Sequence, residues 1–323
     1  VYWIWGEDTG KGELIVAPFS DFSKRKVLHT PTAEMVKHNF HFHPKDRTLL
    51  TFSEYHHYIN TVCFHHSDRK DVQYLKRFRP TGHLQILDKS QDMQTWLVTY
   101  QSAENPNDAI VYHRKLKSAE FLFDMKPDLK GYINTQIGFD FAARDGLMIQ
   151  AYISFPPNVP LKNPDSVPEK DREFAAQKMI PQNQQKMVVL VHGGPESRDS
   201  FEYSSENGLL TSRGYAVMQV NFRGSSGFGK RLTNEGIGEW SRKMHTDLLD
   251  AVDFAVSKGI ANKSAIAIMG GSYGGYATLV GLTFTPDTFV CGIDIVGLSN
   301  LTTLLDATVV DKELIKVEYV DLL

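Results

Sequence analysis

Residues 265–269 are continuously apolar, and the chain runs from them through Gly270-Gly271-Ser272-Tyr273-Gly274 into a segment of helical texture at 275–284. No other feature constrains the fold as much. The run is that of a strand buried on both faces, as parallel strands are. A Gly-x-Ser-x-Gly passage from such a strand into a helix predicts a sharp turn that lifts the Ser272 side chain above the sheet edge. Gly270 and Gly274 are expected to leave room for neighbouring backbone there, where a Cβ would clash. The free N–H groups of the following helix favour negative charge beside Ser272. The N–H of Tyr273 is the first expected oxyanion donor. A chance match to the pattern is expected about 0.1 times in a chain of this length.

Strands and helices alternate around this point. Residues 187–191, 215–220 and 289–296 read as strands, and 242–258 carries Met244, Leu248, Ala251, Val252 and Ala255 at helical spacing before Gly259. Such alternation predicts an α/β fold whose mostly parallel sheet has helices on both faces. Upstream, 137–142 and 147–155 flank Asp145-Gly146, a favoured hairpin turn. The proline-punctuated stretch 156–186 reads as a long surface connection with one short helix near 169–178.

Two further loops leave the same sheet edge. His192-Gly193-Gly194-Pro195 follows the first parallel strand, and Gly193 or Gly194 offers a second backbone donor to an oxyanion. A simple turn is the plainer reading. His192 is not expected to be a catalytic base, because the usual order is Ser, then Asp, then His. The loop from Asn221 to Gly229 follows the second parallel strand, at the edge where ligands bind in open α/β folds. Arg223 on it either orients a substrate carbonyl or carboxylate, or ties loops together.

Residues 1–130 have a different texture, of short aromatic and β-branched runs broken by turn residues. Three similar segments begin 48 residues apart, at Val1, Leu49 and Leu97. A strand-built period of about 40–50 residues is the signature of propeller blades. The alternative is an unrelated β-domain. Trp3, Trp5 and Trp96 read as blade core, and Asp68-Arg69-Lys70-Asp71 as a solvated loop.

At 323 residues the chain holds about two domains. Its formal net charge of −3 gives no footprint for nucleic acid or anionic membrane. No apolar run reaches the ~18 residues of a membrane span. Only Cys63 and Cys291 are present, far apart, which suggests reduced thiols and a cytoplasmic setting. His38, His41, His43, His56, His57, His65 and His66 crowd one region, but no cysteine or carboxylate completes a metal-ligand spacing. Propeller surface or channel lining is the favoured reading, and no metal is expected.

In order and spacing, HGGP at 192, NFRGSSGFG at 221 and GGSYGGYA at 270 resemble the catalytic domain of prolyl oligopeptidase-family serine peptidases. Gly271 before the serine and Tyr273 after it favour the acylaminoacyl-peptidase and dipeptidyl-aminopeptidase branch. Arg144-Asp145-Gly146 also looks like the hairpin that opens that domain. The resemblance covers about 131–306 and stops in the tail. It implies an α/β-hydrolase preceded by a seven-bladed β-propeller, acyl transfer on short peptides and no cofactor. Residues 1–130 would then be a partial propeller of about three blades, and 131–323 the catalytic domain.

A serine nucleophile needs a base, and the base an orienting group. Of the 51 residues after Ser272 none is histidine, although Asp287, Asp294, Asp306, Asp311 and Asp321 are there. The family carries its Asp and His further on. The chain is therefore expected to be truncated at both ends, and inactive or nearly so by itself. An esterase- or lipase-like hydrolase and a non-catalytic, propeller-based binding protein are the rival readings.

Overall fold

The computed structural model describes residues 1–6, 10–36, 39–79, 82–104, 108–129 and 135–307. His38, Asp311, Asp321, the side chains of Trp3 and Asp306, and the expected boundary at 130/131 lie outside them. The chain divides into two units. One is Val1–Ile133 with Ser200–Ser204 and Gly227–Arg231; the other is Asn134–Asp199, Ser205–Ser226 and Leu232–Leu323.

The first unit contains three antiparallel sheets in succession. β1 (Tyr2–Trp5), β2 (Glu13–Val16) and β3 (Lys26–His29) form one. In the next, β6 (Leu49–Tyr55) has the short β4 (Glu34–Met35) and β5 (His41–Phe42) on one side and β7 (Ile59–Cys63) on the other. Helix α1 (Arg69–Phe78) leads to the third, a meander of β8 (His83–Lys89), β9 (Thr95–Gln101), β10 (Asp108–His113) and β11 (Ser118–Asp124). All three repeat segments are strand: β1, β6 and β9.

Trp96, Val98 and Tyr100 alternate along β9 and are buried with Val72 and Leu75 of α1. Burying each such side chain contributes about 1.5–3 kcal/mol. Two expectations fail here. The charged run at 68–71 is no solvated loop: it opens α1, and Asp68 and Asp71 are buried against Lys89, Arg114 and Lys117. Its helical signal lay downstream, in Val72 and Leu75 three residues apart. Trp5 is 49% exposed, tilted against Phe22 and under Arg25, whereas Trp96 is core as expected.

The second unit is an α/β fold. Its six-stranded sheet contains β12 (Thr135–Ala142), β13 (Met148–Phe155), β14 (Gln185–Val191), β15 (Ala216–Asn221), β16 (Ala261–Gly271) and β17 (Cys291–Ile295). The spatial order is β12-β13-β15-β14-β16-β17; the last four are parallel and the hairpin β12–β13 joins antiparallel. The helices are α2 (Arg172–Ala176), α3 (Ser205–Ser212), α4 (Lys230–Asn234), α5 (Lys243–Ser257), α6 (Tyr273–Phe284) and α7 (Leu301–Ala307). α5 buries the five residues expected from its spacing. It ends on Gly259, φ 69°, whose left-handed backbone lets the Ile260 N–H reach the Ala255 carbonyl at 2.8 Å.

β15 lies on one side of β14 and β16 on the other, so the chain reverses its direction of travel across the sheet at β14. Crevices in open α/β sheets form at the carboxyl ends of strands flanking such a point. The strands there end at Val191, Asn221 and Gly271, which begin the three motif loops.

Candidate active site

Ser272 stands between the last residue of β16 and the first of α6, with φ 57° and ψ −118°. A non-glycine residue in this region is strained, and such strain persists only where the surroundings enforce it. Its N–H donates to the Ile295 carbonyl at 3.0 Å, and its carbonyl accepts the Tyr276 N–H at 3.0 Å. The backbone is therefore held on both sides while the side chain is exposed. The flanking glycines answer to contact: a Cβ on Gly270 would meet backbone of Val191 and Gly274, and one on Gly274 would collide with the Val191 carbonyl.

The HGGP loop comes up to this bend. A Cβ added to Gly193 would lie 3.3 Å from the Gly271 oxygen and 3.5 Å from Ser272 Cβ. Gly194 has φ +120°, and a Cβ there would crowd the amides of Glu196 and Ser197. Among the described residues, the N–H groups of Gly193, Gly194 and Tyr273 have no protein acceptor.

His192 is half-buried, stacked on Phe222 at 4.5 Å, with Nδ1 2.7 Å from the Gly193 oxygen and Nε2 3.0 Å from Ser225 Oγ. Burial pushes the imidazole down to about 4. That makes it a poor proton acceptor for a serine hydroxyl. His245, the last histidine, is buried on α5 and bonds Thr285 just past the end of α6. A twelve-residue helix separates Thr285 from Ser272, about 18 Å. Neither ring is placed as the base.

Arg223 lies on the second loop but not as a substrate ligand. It is 1% exposed, and four of its donors end on carboxylates: Nε and Nη2 on Asp247 at 2.9 and 2.8 Å, Nη1 and Nη2 on Asp145 at 2.9 and 3.2 Å. Of the two roles open in the sequence, the structure selects the tie between loops. Burial raises the Asp247 carboxyl, with Arg223 opposing; Arg223 holds the exposed Asp145 below its usual range. The neighbouring Arg144 grips Asp250, so the 144–146 turn is bolted to α5. The sequence reading missed both aspartates; their spacing of three on one helix was the available signal.

A ladder of buried amides braces the chain at Asp199, beyond the HGGP loop. Gln219 Nε2 donates to Asp199 at 2.8 Å, and Gln219 Oε1 accepts from Gln136 and Asn207. Asn221 accepts the Asp199 N–H at 2.7 Å and donates to Gln150. Trp240 packs on Tyr273 and Tyr276 of α6. Burial drives the Tyr273 phenol far above its usual range.

Residues 201–320 match the profile of the prolyl oligopeptidase family. The match runs past residue 306, so the tail continues to resemble the family, contrary to expectation. Over 308 residues the chain is 53% identical to dipeptidyl peptidase family member 6 of Caenorhabditis elegans, covering 95% of this chain and 42% of that protein. It is 46% identical over 241 residues to dipeptidyl aminopeptidase BIII of Pseudoxanthomonas mexicana, covering 73% of this chain and 32% of that protein. A puromycin-hydrolyzing peptidase of Mycobacterium tuberculosis superposes with a TM-score of 0.73 at 21% identity, covering 99% of this chain and 46% of the other. The chain spans less than half the length of each. No helix among the described residues is long and apolar enough to cross a membrane.

Proposed function

The chain belongs to the prolyl oligopeptidase family, and from that premise we propose that it supplies the nucleophile and oxyanion site of a serine peptidase that releases dipeptides from the amino ends of short peptides. The observation that carries this is Ser272: an exposed hydroxyl on a positive-φ bend between a buried strand and a helix. Ser272 Oγ attacks the peptide carbonyl as its proton passes to a base. The carbonyl π pair moves onto oxygen, where the N–H groups of Tyr273 and of Gly193 or Gly194 receive it. Collapse expels the amine, which takes the proton from the base, and water then repeats the sequence on the acyl-enzyme.

None of the 51 residues after Ser272 is histidine, and neither His192 nor His245 is placed as the base, so the chain alone would be inactive or nearly so; losing the triad base costs on the order of 10⁶ in kcat. The three sheets of 1–130 are blades of a β-propeller that restricts access to short peptides, a reading supported by the 48-residue spacing of β1, β6 and β9. Residues 131–323 are the catalytic domain. Two free cysteines suit a reducing, cytoplasmic setting. Release of acylated amino acids is the second reading, favoured by 35% identity over 121 residues to acylamino-acid-releasing enzyme 1 of Oryza sativa.

The test uses the full-length protein. A fluorophosphonate should label it and fail on Ser272→Ala, and dipeptidyl anilides should turn over faster than acetyl-aminoacyl anilides. The reverse preference favours the second reading. Preference for simple esters, or labelling that survives Ser272→Ala, overturns the peptidase assignment.

A further inference from the structure

We propose that His192 is the positioning residue of the oxyanion loop: one fixed tautomer of its imidazole clamps the Gly193 carbonyl and so sets the direction of the Gly194 N–H. This rests on Ser272 being the nucleophile.

The tautomer follows from the partners. A carbonyl oxygen can only accept, so at 2.7 Å from the Gly193 oxygen Nδ1 must carry the proton. In the neutral ring Nε2 is then an acceptor, and Ser225 Oγ, 3.0 Å away, donates to it. Burial keeps the ring neutral, so this pattern holds at ordinary pH. The ring plane is fixed as well, stacked 12° from parallel on Phe222.

The clamp's anchor is itself immobile. Ser225 is buried; its carbonyl accepts from Thr233 Oγ1 at 3.1 Å and its N–H donates to Phe222 at 3.0 Å. The next residue, Ser226, donates its N–H to Ser197 at 2.9 Å, tying the two loops on the far side of the glycines.

The Gly193–Gly194 peptide needs such a restraint. Two glycines have the least conformational preference of any dipeptide. Left free, their donor would have to be ordered as charge develops, which forfeits the advantage of a preorganised site. A trans peptide is planar, with its carbonyl and N–H pointing opposite ways. Pinning the Gly193 oxygen therefore aims the Gly194 N–H, in a loop whose Gly193 borders Ser272. A ring that positions but does not touch the reacting atoms should affect kcat and spare KM.

In the full-length protein His192→Phe keeps the stacking and removes both nitrogens. His192→Asn restores an N–H near the place of Nδ1. His192→Gln puts an amide near the place of Nε2. With a dipeptidyl anilide, kcat should fall about 30–100-fold in His192→Phe at unchanged KM, less than loss of a whole oxyanion donor. His192→Asn should recover to within about 5-fold of the parent and His192→Gln should not. A peptide aldehyde, which forms a hemiacetal oxyanion, should lose affinity in step with kcat, and a product dipeptide should not. If His192→Phe fails to fold, Ser225→Ala is decisive: it should lower kcat about 3–10-fold at constant KM. A kcat within twofold of the parent in His192→Phe (or in Ser225→Ala), a loss confined to KM, or equal losses in Asn and Gln overturns the clamp. Failure of the parent to take the fluorophosphonate at Ser272 sinks the nucleophile reading and the clamp with it; normal labelling with an unaltered His192→Phe sinks the clamp alone.

Discussion

A methyl group placed on Gly270 would stand 2.6 Å from the carbonyl oxygen of Val191, the residue paired with it on the adjacent strand. The obstacle is backbone and cannot rotate away. Gly270→Ala is expected to displace the bend, slowing fluorophosphonate labelling of Ser272 by at least about 10²-fold and destabilising the fold by about 1–3 kcal/mol. Gly271 is the control: a Cβ added there would meet nothing nearer than the Ile295 oxygen, at 3.7 Å. Gly271→Ala should leave thermal stability within about 0.5 kcal/mol of the parent.

Replacing Arg223 strands a carboxylate. Asp247 is wholly buried and depends on this guanidinium, so Arg223→Met should cost about 3–5 kcal/mol in urea denaturation. Arg223→Lys should recover little, since an ammonium cannot span Asp145 and Asp247 as the planar fork does. A variant with parental stability and a raised KM would return Arg223 to substrate binding.

Acid should destabilise the protein progressively below pH 6.5. Burial lowers both His192 and His245 from near 6.5 to about 4. Between those values the unfolded chain binds more protons than the folded one, so stability falls as pH falls and the loss levels off below about 4. Each ring contributes on the order of 3 kcal/mol to that loss. Denaturation midpoints followed across pH 4–8 should show the slope, and His245→Leu should make it shallower. A flat profile would mean that the rings stay accessible to water.

Asp71 should be the keystone of the third sheet's polar cluster. It accepts from Tyr112 Oη at 2.6 Å and forms ion pairs with Arg114, whose Nε lies 3.0 Å away, and with Lys117. Burial alone would raise its carboxyl, but Lys117, Tyr112 and Arg114 outweigh it and hold it below the usual range. Asp71→Ala is expected to cost about 3 kcal/mol and Asp71→Asn about 1–2, by thermal denaturation. Because the group is buried, 0.5 M salt should change neither figure much.

What the sequence disclosed was local. The bend at Ser272 was legible because two glycines, a buried strand and a helix stand consecutively, and α5 because five apolar residues keep one period. What it hid depends on distant pairings. β13 sits beside β15, with Gln150 paired to Asn221 across 71 residues of chain, and no spacing encodes that. Asp68 and Asp71 read as solvated because their cations, Lys89 and Arg114, come from later in the chain, at the end of β8 and in the turn after β10. Arg223 stayed ambiguous for the same reason: its partners, Asp145 and Asp247, lie 78 and 24 residues away.

Gln219, Asn221 and Gln150, which brace the chain at Asp199 beyond the glycine loop, are carboxamides that neither take up nor release protons in water at any physiological acidity. The folded-state His192 ring stays uncharged until about pH 4, so its bonds to Gly193 and Ser225 keep their proton pattern under mild acidification. Among molecules still folded, any decline in turnover between pH 8 and 5 would thus report the proton-transfer partners of Ser272 rather than a change in the His192 clamp.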